Sequence, residues 1–258
     1  MLRLLSDEKP SLKIRLNSAK RLLLITDFDG TLTPIMNHPG DVQLAPSARD
    51  LLKEFHAKPN CDVAVISGRS LADIRTRIGI NDLVYSGNHG FEIAGPGFEF
   101  CPVNIREFRP SLVTLLKRVR EAVSSIPGVL VEDKGITASV HVRNTDNTGR
   151  ARVSWELGRL LSESPRFHMT HGNMVHEIRP NFDWHKGRAA QWLINRIGLP
   201  TPLTICIGDD RTDEDAFRTL ADAITVRVGF TPGSDARYFV HSSSEALAFI
   251  RWILDNKY

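Results

Sequence analysis

The sequence predicts an α/β protein: a parallel sheet flanked by helices, with an α+β subdomain inserted into it. Short apolar runs at 22–26 (LLLIT), 62–66 (DVAVI) and 203–208 (LTICIG) alternate with amphipathic segments, as strands buried on both faces alternate with helices. The alternation stops near Pro96 and resumes near His185. Between them lie clustered strand pairs and two helical stretches. This gives three parts: 1–96 as core, 97–182 as the inserted subdomain, and 183–258 as the rest of the core.

Taken in order, residues 1–20 mix charge with scattered leucines and read as an irregular or helical lead-in. The first buried strand runs into Asp27, Phe28, Asp29, Gly30, Thr31, Leu32 and Thr33. PIMNHPGDVQLAP, rich in Pro, Gly and Asn, reads as a loop. Ser47 then stands as a candidate cap for a helix whose apolar stripe is Leu51, Leu52 and Phe55. The second strand ends in Ser67, Gly68 and Arg69 and enters the helical segment SLADIRTRI. LVYS is a third short strand, followed by GNHGFEI.

In the inserted part, GPGFEFCPVN reads as a hairpin and RPSLVTLLKRVREAVSSI as an amphipathic helix. GVLVEDKGITASVHVR holds two alternating segments around Asp133–Gly135. Residues 150–164 form another helix, and RFHMTHGNMVHEIRP another strand pair. The core resumes with the helix HKGRAAQWLINRIGL, the strand LTICIG and the helix TDEDAFRTLA. ITVRVG is a further strand, and SSEALAFIRWILDN a closing helix.

A chain of 258 residues suffices for one large domain or a core with a smaller companion. Its 33 basic and 30 acidic side chains nearly balance, at +3, and no dense basic run appears, so a nucleic-acid partner is not indicated. Cys61, Cys101 and Cys206 lie far apart without CxxC spacing and read as buried small hydrophobes in a reducing compartment. Neither a signal peptide nor a membrane-spanning stretch is apparent, and a cytoplasmic protein is expected.

Two carboxylates one residue apart at a strand end, Asp27 and Asp29, point to opposite sides in extended chain, so a bend at Phe28–Gly30 is needed to bring them together. Once together they repel unless a cation lies between them or one holds a proton. This suits a metal-assisted displacement with one carboxylate as nucleophile and the other as general acid and base. DFDGTLT resembles the nucleophile loop of the haloacid-dehalogenase-like phosphohydrolases. Phosphoryl transfer also requires positive charge on the phosphate oxygens and a metal. Ser67, with the N–H groups around Gly68, either holds a phosphate oxygen or caps the following helix. Lys186 either neutralises the phosphate and Asp27 or lies solvated on the surface. GDDRTDED places five acidic residues after a buried strand. Asp209, with Asp210 and Asp213 direct or through water, either holds Mg²⁺ or, in part, caps a helix.

Further motifs extend the resemblance: GNHGFEI, VEDKGITASVHVR, HEIRP, HKG and GDDRTDEDAF, in this order over essentially the whole chain, are similar to those of the trehalose-6-phosphate phosphatases. The resemblance implies a Rossmann-like core with an inserted cap, and Mg²⁺-dependent hydrolysis of trehalose 6-phosphate, a small-molecule sugar phosphate. It implies catalytic roles for Asp27, Asp29, Ser67 and Lys186. Metal roles fall to Asp27, Asp29, Asp209, Asp210 and Asp213. Arg69 and His89 are implied to contact substrate from core loops. Glu132, Lys134, His141, Arg143, Glu177 and Arg179 are implied to do so from the cap, where carboxylates and cationic donors suit sugar hydroxyls. Val142 departs from the pattern, which often has an aromatic residue there.

The same chemistry on another substrate, such as sucrose 6-phosphate, a glycosylglycerate phosphate or a monosaccharide phosphate, is the nearest alternative. A phosphotransferase passing the aspartyl-phosphate to an alcohol is a second. A non-catalytic sugar-phosphate sensor is a third, and the full set of catalytic residues argues against it. A separate trehalose-phosphate synthase is a conceivable partner.

Overall fold

The computed structural model describes residues 2–36, 39–172, 174–198 and 200–257. They form two units, 1–100 with 184–258, and 101–183.

The first unit is built on nine strands. In chain order these are β1 (Arg3–Leu4), β2 (Leu22–Thr26), β3 (Cys61–Ile66), β4 (Val84–Gly87), β5 (Glu92–Gly95) and β6 (Phe98–Phe100). After the second unit, whose strands are β7 (Leu130–Asp133), β8 (Ala138–His141), β9 (Phe167–Gly172) and β10 (Val175–Pro180), come β11 (Leu203–Gly208), β12 (Ile224–Val228) and β13 (Tyr238–Val240). The large sheet has the order β1-β13-β12-β11-β2-β3-β4-β5-β6. It is parallel from β1 to β4 and ends in the antiparallel β5–β6 hairpin. Residues 97–100 therefore stand with the first unit.

The helices of this unit are α1 (Lys9–Ser18), α2 (Pro46–Ala57), α3 (Leu71–Ile78), α6 (Lys186–Ile197), α7 (Arg211–Thr219) and α8 (Ser243–Lys257). Period-two alternation in β2 sends Leu22 and Leu24 to one face, where they pack with Leu12, Leu52, Phe55, Ile74 and Phe249 of α1, α2, α3 and α8. Leu23 and Ile25 face the other way, against Ala189, Leu193 and Phe217 of α6 and α7. All five β2 residues are buried, which is why the run is continuously apolar. From β2 the chain winds outward through β3 and β4, then returns on the other side through β11 and β12. The carboxyl end of β2 is thus the switch point where such sheets place ligands.

The second unit is a four-stranded antiparallel sheet of order β7-β8-β10-β9. One face packs on α4 (Ile105–Val123) and α5 (Asn147–Ser162) through Leu112, Leu116, Val119, Val140, Val153, Leu157 and Ile178. Val142 belongs to this apolar cluster.

Several boundaries differ from the sequence reading. Ser47 does not cap α2; Ala45 holds the cap position and Pro46 starts the helix, where its missing N–H costs nothing. α4 begins a turn earlier than expected, capped by the Asn104 side chain on the Arg106 N–H, and absorbs Pro110 within its second turn. The lead-in contains the two-residue β1, and β13 was not anticipated; both are too short for alternation to register. Asn37 and His38 of the expected loop, Asn173 of the expected strand pair and Leu199 of the expected helix lie outside the described residues.

Leu116 is fully buried on α4 and Val113 of the same helix is 47% exposed. Leu116→Ala is expected to cost about 2–5 kcal/mol in a urea titration, whereas Val113→Ala should stay within about 1 kcal/mol.

Candidate active site

Three strand ends and one helix start meet at the switch point. Asp27 follows β2, with its N–H donated to the Ile207 carbonyl of β11 (2.9 Å) and its side chain 7% exposed. Lys186 opens α6 and is also buried. Its Nζ lies 3.1 Å from Asp27 Oδ1 and 2.7 Å from Asp213 Oδ1. Asp209 follows β11, and Thr31 of the loop after β2 donates to its Oδ1 (3.1 Å). Asp27, Asp209 and Asp213 each bring an oxygen within 4.8 Å of the others.

Local structure explains this convergence. The bend needed after Asp27 occurs at Gly30, with φ +77°, and a Cβ there would lie 2.1 Å from Asp209 Oδ2. The acidic loop therefore requires glycine for both conformation and space. Asp213 sits in the first turn of α7 and folds back, its Oδ2 accepting the N–H groups of Asp209 (3.1 Å) and Asp210 (3.0 Å). A side chain at Gly208 would occupy that carboxylate's space. Both Asp213 oxygens are thus engaged, by Lys186 and by backbone, whereas Asp27 and Asp209 keep oxygen to spare. Asp210 is the N-cap residue of α7.

The electrostatics are unbalanced. Three buried or half-buried carboxylates face one ammonium. Burial, and then the charges of Asp213, Asp209 and Asp29, push the Asp27 carboxyl well above its ordinary value, against the pull of Lys186. Asp209 is pushed up to about 7, chiefly by burial and by Asp213. Burial works against the Lys186 ammonium, but Asp213 and Asp27 outweigh it and keep the group charged. A hard divalent cation would supply the missing positive charge, and an all-oxygen donor set suits it. Asp27 and Asp209 are the residues that could hold it, with Asp213 fixing the loop. Cys206 in β11 is buried nearby; burial and then Asp213 push its thiol up, so it remains neutral.

Asp29 points to a different partner. Arg69 Nε and Nη2 donate to its two oxygens at 2.7 and 2.6 Å. The same guanidinium lies 5.5 Å from the centre of the Phe28 ring and donates to Asp73 (2.9 Å), which Arg77 holds in turn. Ser67 is buried and does not cap α3: Ser70 does, accepting the Asp73 N–H. The Ser67 hydroxyl instead accepts the Arg69 N–H (3.2 Å). His89 braces this turn. Its N–H donates to the Ser67 carbonyl (2.9 Å), and its ring lies where a Gly68 Cβ would fall. Asn88 and His89 both adopt left-handed backbone, φ 52° and 58°, a conformation uncommon outside glycine.

In the second unit, cross-strand register places Glu132, Ser139, Glu177 and Thr170 in one row of the sheet face opposite α4 and α5. His141, Arg179 and His168 are on the same face, since they lie two residues along. Glu177 Oε1 accepts from Lys134 (3.2 Å) and Ser139 (2.8 Å), and His141 Nε2 lies 2.9 Å from Glu132. Burial, together with the Arg179 charge, lowers the His168 imidazole below its ordinary value. Arg143 lies just beyond β8, with its carbonyl bonded by Arg150.

The sequence reading missed Thr31, Asp73, Ser139, Thr170 and His168. Ser139 was accessible to it, because it stands two residues from His141 in an alternating strand. Asp73 stands one helical turn from Arg69, but only the fold shows that Arg69 turns towards Asp29.

A family model described as trehalose-phosphatase matches residues 25–244. The chain is 33% identical to probable trehalose-phosphate phosphatase 2 of Oryza sativa subsp. japonica, over 92% of this chain and 69% of that protein. It is 36% identical to the trehalose-phosphate phosphatase of Mycobacterium leprae (strain TN), over 78% of this chain and 48% of that one. The solved C-terminal domain of the C. albicans trehalose-6-phosphate phosphatase superposes with a TM-score of 0.84, covering 99% of this chain and 98% of that one. At 21% identity, that likeness speaks to fold alone.

Asp209 binds its proton more tightly in the folded chain than unfolded, so the folded state carries the excess proton between about pH 4 and about pH 7. In chelator-treated protein, the stability of wild type relative to Asp209→Asn should fall as pH rises through that window and level off above it, a comparison that cancels the opposite contribution of the His168 and His176 imidazoles. A difference in urea midpoints that stays flat or grows there would contradict the burial argument.

Proposed function

We propose, since the chain belongs to the trehalose-phosphatase family and is a phosphatase, that it hydrolyses trehalose 6-phosphate to trehalose and phosphate, the last step of trehalose biosynthesis. The observation that carries the chemistry is the buried set of Lys186 between Asp27 and Asp213 with Asp209 beside them. Every remaining role has a residue at the same strand ends.

Asp27 attacks phosphorus and forms an aspartyl-phosphate as the P–O bond to the sugar breaks. Lys186 holds Asp27 in place and carries positive charge towards the phosphoryl oxygens. The Ser67 hydroxyl, which accepts the Arg69 N–H, donates its own O–H to one of those oxygens. Asp29 gives a proton to the departing sugar oxygen, then takes one from the water that cleaves the acyl phosphate, restoring Asp27. Arg69 orients Asp29 through both oxygens and yields one of them to the sugar oxygen. Mg²⁺, held by Asp27 and Asp209, would supply charge neutralisation at the phosphate.

The polar face of the second unit offers what a disaccharide needs: carboxylates, imidazoles and cationic donors spaced by sheet geometry. Glu132, Lys134, His141, Glu177 and Arg179 on it, with Arg143 beside it, bind the sugar hydroxyls. Among the described residues no helix is long and apolar enough to cross a membrane. The three cysteines are free, which accords with a reducing cytoplasmic location.

Phosphate release from a panel of sugar phosphates tests this reading. Trehalose 6-phosphate should be strongly preferred and its turnover lost in EDTA; metal-dependent release from another sugar phosphate would keep the core chemistry and overturn the substrate. Asp27→Asn should lower kcat by roughly a thousandfold or more with the fold intact. Glu132→Ala should raise KM for trehalose 6-phosphate with little change in kcat; unchanged kinetics on every substrate would remove Glu132 from the sugar site.

A further inference from the structure

Glu214 belongs to the acidic block after β11 but takes no part in the carboxylate cluster. Its Oε1 accepts from Arg227 Nη1 (2.6 Å) and the Ser234 hydroxyl (2.9 Å). Its Oε2 accepts from the same hydroxyl (3.1 Å) and from the Asp235 N–H (2.8 Å). Both oxygens are satisfied and the side chain is largely buried, at 16% exposed, so it has nothing to offer a metal directly.

Arg227 is the register partner of Gly208, at the carboxyl end of the strand beside β11. Its Nη1 reaches the Asp210 carbonyl (3.3 Å) as well as Glu214, and its Nε donates to Thr231 (2.9 Å). It therefore ties together the acidic turn, the first turn of α7 and the connection after β12. The Asp209 and Asp210 N–H groups in that turn hold Asp213, and Asp213 holds Lys186.

We infer that Arg227, clamped by Glu214, is a positioning residue that fixes the 209–213 turn and thereby sets the affinity of the site for a divalent cation. This rests on the Mg²⁺ site proposed above. Partners of this kind typically change metal affinity about 10–100-fold.

Charge alone predicts the opposite sign. Deleting a cation beside a cluster of carboxylates should tighten cation binding, whereas loosening the turn should weaken it. Arg227→Met separates the two. Arg218, exposed on α7 and paired with Asp235 (2.8 Å), provides a control for the loss of charge.

The experiment titrates Mg²⁺ into the whole chain without substrate and reads Kd by calorimetry and by the shift in Tm. Arg227→Met should bind Mg²⁺ about tenfold more weakly than wild type. Arg218→Met should bind equally or slightly more tightly. Arg227→Lys keeps the charge but loses the fork whose Nη1 reaches Glu214 and Asp210 while its Nε holds Thr231, and should fall between wild type and Arg227→Met; it also decides the matter if Arg227→Met does not fold. Unchanged or tighter binding in the Arg227 variants, with normal binding in wild type, overturns the inference alone. A wild type that binds no divalent cation overturns the metal site and the inference with it.

Discussion

The ammonium of Lys186, buried between two carboxylates, is the interaction on which the rest of the molecule depends. Desolvating one charge is expensive, and desolvating four is tolerable only with near-complete compensation. The fold gathers these charges from three directions but compensates them only in part: β2 delivers Asp27, β11 and α7 deliver Asp209 and Asp213, and α6 delivers the lysine. The sheet order that sets β2 against β11 also makes this meeting possible, although some 180 residues of chain separate the two strands. The negative charge left over after Lys186 makes the site receptive to further cations.

The same logic, less severe, organises the second unit. Its sheet has one apolar face closed by two helices and one face that gathers polar groups in register. Glu177 is largely buried there, with Lys134 and Ser139 donating to one of its oxygens. The apolar cluster opposite, not this polar face, supplies most of the unit's stability. Val142 lies in that apolar cluster, so the departure it marks from the family's motif concerns packing.

How legible this was follows from how the signals arise. Buried parallel strands must be continuously apolar and must end at polar residues, so β2, β3 and β11 stood out along with the residues that follow them. The inserted unit announced itself as a change in rhythm. Edge elements did not, because β1 and β13 are held by their neighbours and carry no periodicity of their own. Side-chain assignments fared according to how local they were. Asp27, Lys186 and Asp209 were indicated by type and place, whereas Asp29 turning to Arg69, and Ser70 rather than Ser67 capping α3, depend on backbone angles that residue identity alone does not reveal. Glu214 was grouped with its acidic neighbours by sequence, and Arg227, Ser234 and the Asp235 N–H, brought to it by the fold, show that it serves differently.

The order of strands in the large sheet has a consequence for synthesis. β2 can pair with β3 almost as soon as both exist, but its other edge waits for β11, and β11 follows the entire inserted unit. The inserted unit, 101–183, is continuous in the chain and can complete its own core while the first sheet remains half built. A growing chain therefore carries an exposed, strongly apolar strand edge until residue 208 or so has emerged, the circumstance in which nascent proteins aggregate or call on chaperones. Long-range closure of this type is slow. Asp27 is made before Lys186, Asp209 and Asp213, so its buried cluster closes only after α6, β11 and α7 have emerged.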